Sequence, residues 1–126
     1  MRPTRTLLVN DSGAFLASLE CFLAEHPLLC IVGKATSGSE GINQVVLLRP
    51  DLVLLDLIMA GMSGLEVLRR IKTDSDPPRV IVLTFQDDPA FRREAQTLGA
   101  DDFLVKAEIA RRLLPVVEAL FPEAER

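Results

Sequence analysis

Tryptophan and tyrosine are absent from this chain of 126 residues, and histidine occurs once. Few rings therefore remain to stack on a flavin. The lone histidine, in His26-Pro27 at a helix exit, has no Cys or His partner and reads as a surface residue rather than a zinc ligand or catalytic base. Cysteine is scarce too. Cys21 and Cys30 lack CxxC spacing and sit in apolar surroundings, which predicts small buried hydrophobes of a reducing compartment, the cytoplasm by default. No apolar run approaches membrane-spanning length, and the N-terminal one stops at Asn10, too short for a signal-peptide core. Positive charge is not in excess: a net charge of -4 and a pI near 5.0 argue against an extended nucleic-acid surface, because phosphate binding needs clustered cations. The pairs Arg69-Arg70, Arg92-Arg93 and Arg111-Arg112 fall on separate predicted helices and read as solvated faces. No GxGxxG follows any strand, which disfavours a nicotinamide enzyme, and no linker or low-complexity stretch divides the chain. Residues 1–126 read as one domain, long enough to bury a single sizeable core.

What the chain does have is a set of apolar runs that end on polar residues. Asp51-Leu-Val-Leu-Leu-Asp56 is followed by Leu57-Ile-Met-Ala-Gly-Met-Ser-Gly64, an apolar strand that stops on a carboxylate and gives way to a glycine-bearing loop. Consecutive aliphatic residues read as a strand buried on both faces, so Asp56 is delivered where the chain leaves the core. Leu7-Leu-Val9 likewise runs into Asn10-Asp11, Val80-Ile-Val-Leu83 into Thr84, and Phe103-Leu-Val105 into Lys106. If the strands are parallel, these tips share one edge, where α/β proteins keep their chemistry.

Between the runs lie segments with helical spacing. Phe15, Leu19, Phe22 and Leu23 mark one face of a first helix that ends before Pro27. Ser37-Gly-Ser-Glu40 and Ser63-Gly-Leu-Glu66 match the capping box and predict the starts of the second and third helices. Asp88-Pro89 pairs an N-cap with an N1 proline, and Gly99 supplies the C-terminal cap. The last helix, from about Ile109 to Phe121, contains Pro115, which predicts a kink or a start nearer Leu114. Asp87, Asp101 and Asp102 read as turn and cap residues, and Met59 and Met62 as loop cover over the site. Alternating runs and helices predict an α/β fold, a parallel sheet with helices on both faces.

These residues resemble the receiver domain of two-component response regulators. The resemblance spans almost the whole chain and rests on the acidic position after strand one (Asn10-Asp11), the segment Leu54-Leu-Asp56-Leu-Ile-Met-Ala-Gly-Met-Ser-Gly64, Thr84, and Gly99-Ala-Asp-Asp-Phe-Leu-Val-Lys106. It implies a single doubly wound, flavodoxin-like (CheY-like) domain with five parallel strands in the order 2-1-3-4-5. It further implies a phosphoacceptor switch rather than an enzyme, limited to self-catalysed phosphoryl uptake from a donor and slow autodephosphorylation. Asp56 would be the phosphoacceptor. Mg2+ would be held by Asp11, Asp56 and the backbone carbonyl of Ile58, with Asn10 acting indirectly. Thr84 and Lys106 would bind the phosphoryl oxygens. Thr84 and Phe103 would form the switch, Phe103 turning inward as the Thr84 hydroxyl is drawn to the phosphoryl group, so that the surface of the fourth helix, fifth strand and fifth helix is repacked.

The partners implied are a histidine kinase or phosphotransfer protein as donor, an output domain or downstream protein, in transcription regulation for example, and a phosphorylation-dependent homodimer. Direct nucleic-acid binding and membrane contact are not expected, since the chain ends at Glu123-Ala-Glu-Arg126 soon after the fifth helix with no DNA-binding unit.

Taken singly, each site residue has a plainer role open to it: Asp11 as N-cap of a helix beginning at Ser12, Asp56 and Lys106 as solvated strand ends, Thr84 as a β-branched strand residue, Phe103 as a core aromatic. Asn10 stands where the family usually has an acid, and Ala107 where many receivers carry proline, so a trans Lys106-Ala107 peptide is expected, as in the NarL-like branch. Phe85 occupies a usually small position and, overhanging Asp56, would control access and slow hydrolysis. Asn10 and Phe85 keep an alternative open: a degenerate receiver serving as a phosphorylation-independent interaction module. A flavodoxin-like FMN protein is disfavoured by the Asn10-Asp11-Ser12-Gly13 turn, a poor phosphate cradle, and dehalogenase-type hydrolysis by Ile58, where that chemistry wants a second aspartate.

Overall fold

The computed structural model describes residues 2–122; the predicted chain end Glu123-Ala-Glu-Arg126 lies outside them. Five strands alternate with five helices: β1 (Thr4–Val9), α1 (Gly13–Ala24), β2 (Leu29–Ala35), α2 (Gly38–Leu48), β3 (Leu52–Asp56), α3 (Gly64–Lys72), β4 (Arg79–Thr84), α4 (Pro89–Thr97), β5 (Asp102–Val105) and, after a 3-10 turn at Lys106–Glu108, α5 (Ile109–Leu120). The strands form one parallel sheet in the order β2-β1-β3-β4-β5. This is the doubly wound order expected, with β3 at its centre and every residue of β3 buried.

The sheet divides the core in two. Val53, Leu55, Val80, Val82 and Phe103 face α2, α3 and α4, meeting Val45, Val67, Leu68, Ile71 and Ala95. Leu52, Leu54, Ile81, Leu83 and Leu104 face α1 and α5, meeting Leu16, Leu19, Leu23, Ile109, Leu113 and Val117. The period-two alternation of each strand makes this split, and it places the last residue of a strand at a predictable face of the C-terminal edge. Each fully buried Leu or Val contributes about 1.5–3 kcal/mol, so the inner strands hold that edge rigidly.

Several expectations change on folding. Cys21 and Cys30 are exposed, not buried. Cys21 lies off the α1 stripe formed by Leu16, Leu19 and Leu23, and Cys30 lies on β2, an edge strand only partly covered. The two capping boxes form only their first arm: Ser37 and Ser63 accept from the backbone N–H groups of Glu40 and Glu66, but Glu40 turns to Thr36 N and Glu66 pairs with Arg69 and Arg70. Those two guanidiniums hold the Glu66 carboxyl down to about 2. The α5 helix starts at Ile109, ahead of Pro115, and runs through it.

Asp101 is no simple turn residue. Its carboxylate accepts from Lys72 Nζ at 2.8 Å, Arg79 at 3.0 Å and the Val80 backbone N–H at 2.8 Å, tying α3, β4 and the approach to β5 together at the edge opposite Asp56. Met59 is buried in the core beneath α2 and α3 rather than lying over the site, and Met62 reaches the start of α2 at Gly38. All described peptide bonds are trans, including Lys106–Ala107. No helix among the described residues is long and apolar enough to cross a membrane.

Candidate functional site

The C-terminal ends of β1, β3, β4 and β5 open into a hollow of about 330 Å³ lined by Asn10, Asp11, Ser12, Phe15, Asp56, Ile58, Thr84, Phe85 and Lys106. A larger hollow, about 560 Å³, lies at the other edge of the sheet around Arg49, Asp51, Asp74 and Arg79. Two of its acids are already paired, Asp51 with Arg2 and Asp74 with Arg49, and it lies away from the C-terminal strand ends.

Asp56 ends β3 and its side chain is 8 % exposed. One carboxylate oxygen accepts from the Ile58 backbone N–H at 3.3 Å, and the other faces Lys106 Nζ at 3.4 Å. Burial pushes the Asp56 carboxyl above its ordinary range; Lys106 and the Ile58 N–H oppose the shift, and the neighbouring charge of Asp11 adds to it. The loop after β3 is held close by Gly64, whose backbone N–H donates to Leu57 O at 2.8 Å. A β-carbon there would lie 2.3 Å from Asp56 O, so any larger residue would force the third helix away from the site.

Asp11 does not cap α1. Ser12 is the N-cap, accepting from Phe15 N, and Asp11 instead reaches across the hollow to accept from the Ala60 backbone N–H at 2.9 Å. Asn10 is buried and accepts from Ser12 N at 2.8 Å, closing the turn that presents Asp11. Thr84, at the end of β4, is buried against the hollow, while Ile58 and Phe85 are exposed on its rim.

Lys106 projects from the 3-10 turn after β5, and its side chain is 6 % exposed. Its ammonium lies 4.0 Å from the Phe85 ring centroid and 4.1 Å from that of Phe15. The contact made by Phe85 is thus with the lysine. Phe15 shares the helical spacing of the apolar face of the first helix, and no local pattern distinguishes it from Leu19. Phe103 does not line the hollow: it pairs with Val82 across β4–β5 and is 2 % exposed.

The donor set suits a hard cation. Two carboxylates, Asp11 and Asp56, share the hollow with the main chain of Ile58, and the mutual repulsion that helps raise the Asp56 carboxyl is what a bound cation would relieve. Among the described residues no group of three or more His, Cys, Asp or Glu side chains is placed so that it could hold a metal ion. Two carboxylates with water completing the shell match Mg2+, which dehydrates reluctantly, better than a cation that needs a full protein cage.

The family described as response regulator receiver domain matches residues 6–118. The transcriptional regulatory protein LiaR of Bacillus subtilis is 35% identical over 116 residues, covering 91% of this chain and 54% of that protein. A protein-glutamate methylesterase/protein-glutamine glutaminase of Geobacillus kaustophilus is 38% identical over 107 residues, covering 84% of this chain and 31% of its own length. The chain therefore spans only about half or a third of these relatives. Among solved structures, the signal receiver domain of the putative response regulator NarL from Mycobacterium tuberculosis superposes with a TM-score of 0.84 at 26% identity, covering 99% of this chain and 98% of that one.

Proposed function

The chain belongs to the response regulator receiver domain family, and from that premise we propose that residues 1–126 form one phosphoacceptor switch, modified at Asp56. The observation that carries the reading is the pairing of Asp56 with Lys106 at 3.4 Å, a nucleophile and a cation whose side chains are both withdrawn from solvent at the edge of one hollow.

An ionised Asp56 oxygen attacks the phosphorus of a phosphohistidine or acyl phosphate; a P–O bond forms, the bond to the leaving group breaks, and that group departs with the electron pair. Lys106 meets the negative charge on one equatorial oxygen, and the Thr84 hydroxyl donates to another. Asp11, Asp56 and the Ile58 carbonyl are the residues that would hold Mg2+, with Asn10 behind them. When bound, the cation supplies charge neutralisation between carboxylate and phosphoryl group. Phe85, seated on Lys106, restricts water at the same point, and Phe85→Ala is expected to shorten the life of the phosphorylated state.

The phosphoryl group draws Thr84, and Phe103, two register positions away on β5, shifts into the space that the Thr84 side chain vacates. The α4–β5–α5 surface changes in consequence, and with it the binding of an output domain or downstream protein. A cytoplasmic histidine kinase or phosphotransfer protein is the proposed donor, its phosphohistidine supplying the phosphoryl group.

Intact-mass measurement after incubation with acetyl phosphate and Mg2+ tests the reading, with Asp56→Asn as control. A single phosphoryl adduct, lost in the variant, is expected. Absence of an adduct on the wild-type chain overturns the reading and leaves an interaction module.

A further inference from the structure

We infer that Phe15 and Phe85 are positioning residues for the Lys106 ammonium, an aromatic pair that holds the cation dehydrated, with one long contact to Asp56 as its anionic partner, until a phosphoryl oxygen arrives. The inference rests on the phosphoacceptor reading of the same site, but its first observable belongs to the unmodified protein.

A lysine ammonium has three N–H donors, and removing it from water without partners is costly. The Lys106 side chain is 6 % exposed, and its single anionic contact is Asp56 Oδ2 at 3.4 Å, longer than the 2.7–2.9 Å of a strong charge-assisted bond. The ring centroids of Phe15 and Phe85 lie at 4.1 and 4.0 Å, inside the range where the negative face of a ring attracts a cation. The rings thus supply what water and the carboxylate do not.

The chemical consequence follows from what a ring is. A carboxylate at either position would neutralise the ammonium and compete with the incoming phosphoryl oxygen. An aromatic face stabilises the charge through its quadrupole and offers no competing lone pair. The ammonium therefore keeps the donors not turned to Asp56 open to a phosphoryl oxygen while its location is fixed, and a charge fixed in a water-poor pocket acts on the transition state without reorganising first. The two rings come from different elements, Phe15 from the first turn of α1 and Phe85 from the residue after β4, so the lysine is held from both the α1 side and the β4 side of the hollow. This also explains a large ring at Phe85 that is 74 % exposed: its body is in solvent because the face it uses is turned to Lys106.

The test has two arms on the full chain. In the first, the side-chain ammonium protons are observed by nitrogen-15 NMR in unphosphorylated protein; the chain has only Lys34, Lys72 and Lys106, and Lys106→Gln assigns the signal. The Lys106 protons are expected upfield of the other two and slow to exchange, and Phe15→Leu or Phe85→Leu should each move them downfield and speed exchange. In the second, affinity for beryllofluoride with Mg2+ is measured by calorimetry. Each leucine variant is expected to bind about tenfold more weakly, which is ~1.4 kcal/mol, and Phe85→Tyr to stay within about twofold of wild type. Thermal melts verify that each variant is folded; should Phe15→Leu fail, Phe15→Tyr and the Phe85 pair carry the test. Leucine variants that match wild type in both arms would show that the rings only fill space, and would overturn the inference. Wild-type protein that keeps the shielded ammonium but neither binds beryllofluoride nor takes up phosphate would instead overturn the phosphoacceptor reading alone.

Discussion

The guanidinium of Arg92 lies 4.5 Å from the centroid of the Phe103 ring and donates to the Phe103 carbonyl oxygen at 3.4 Å. The same guanidinium pairs with Asp87 at 2.9 Å, so one side chain of α4 ties the β4–α4 loop to β5 and covers the aromatic residue of the proposed switch. Arg92→Ala is expected to destabilise the protein by about 1 kcal/mol, the scale of one partly exposed cation–π contact, and to speed amide exchange along β5. Hydrogen exchange with urea denaturation checks this; unchanged exchange at Phe103 and Leu104 would show that Arg92 is an ordinary surface residue.

Asn10 sits directly before the proposed ligand Asp11 and is buried, its side-chain oxygen engaged with Ser12 N. Asn10→Asp keeps that acceptor and adds a charge, so it is expected to tighten Mg2+ binding severalfold while lowering stability without metal, because the new carboxylate crowds Asp11 and Asp56. Calorimetry with Mg2+ and a melt in chelator measure both effects, and equal or weaker affinity would count against an indirect role for position 10.

The raised Asp56 carboxyl carries a sign for pH. Its folded-state value lies above the unfolded one, so its ionisation costs stability: the protein is relatively more stable below the ordinary carboxylate range and loses that advantage as pH rises through the folded value. Asp56→Asn removes the charge and is expected to stabilise the metal-free protein near pH 7 by roughly 0.5–2 kcal/mol, the range of single stabilising substitutions. Urea titrations at neutral and acid pH should show the gain shrinking in acid.

Asp101 has the opposite sign. Burial alone would raise its carboxyl, but Lys72, the Val80 N–H and Arg79 together hold it below the ordinary range. It therefore contributes stability above the unfolded carboxylate range that is lost as pH falls through the folded value. Asp101→Ala removes the anionic partner of Lys72, which keeps only the Pro78 carbonyl, and leaves the Val80 N–H without its acceptor in a site 12 % exposed; a loss of about 3 kcal/mol is expected at pH 7, narrowing in acid. A loss that stays constant from neutral to acid pH would assign the role of Asp101 to packing.

Alternation of apolar runs with helical spacing was enough to give the α/β class, because strand and helix periods are local properties of the chain. The strand ends Asp56, Thr84 and Lys106 could be read the same way, since a buried run that stops on a polar residue marks where the backbone leaves the core. The strand order came from the family resemblance, and the structure agrees with it. The burial of the cysteines could not be read, because it depends on which strand becomes the sheet edge and which side of α1 meets it.

Sequence by itself therefore determined the elements, the edge that bears the polar tips and the family. Tertiary structure alone decided which side chains meet there: Asp11 with Ala60 across 49 residues, Lys106 with Asp56 across 50, and both rings with the ammonium. Such meetings are set by how helices seat on the sheet, and a ring that seats in the core has the same local spacing as one that turns to a cation.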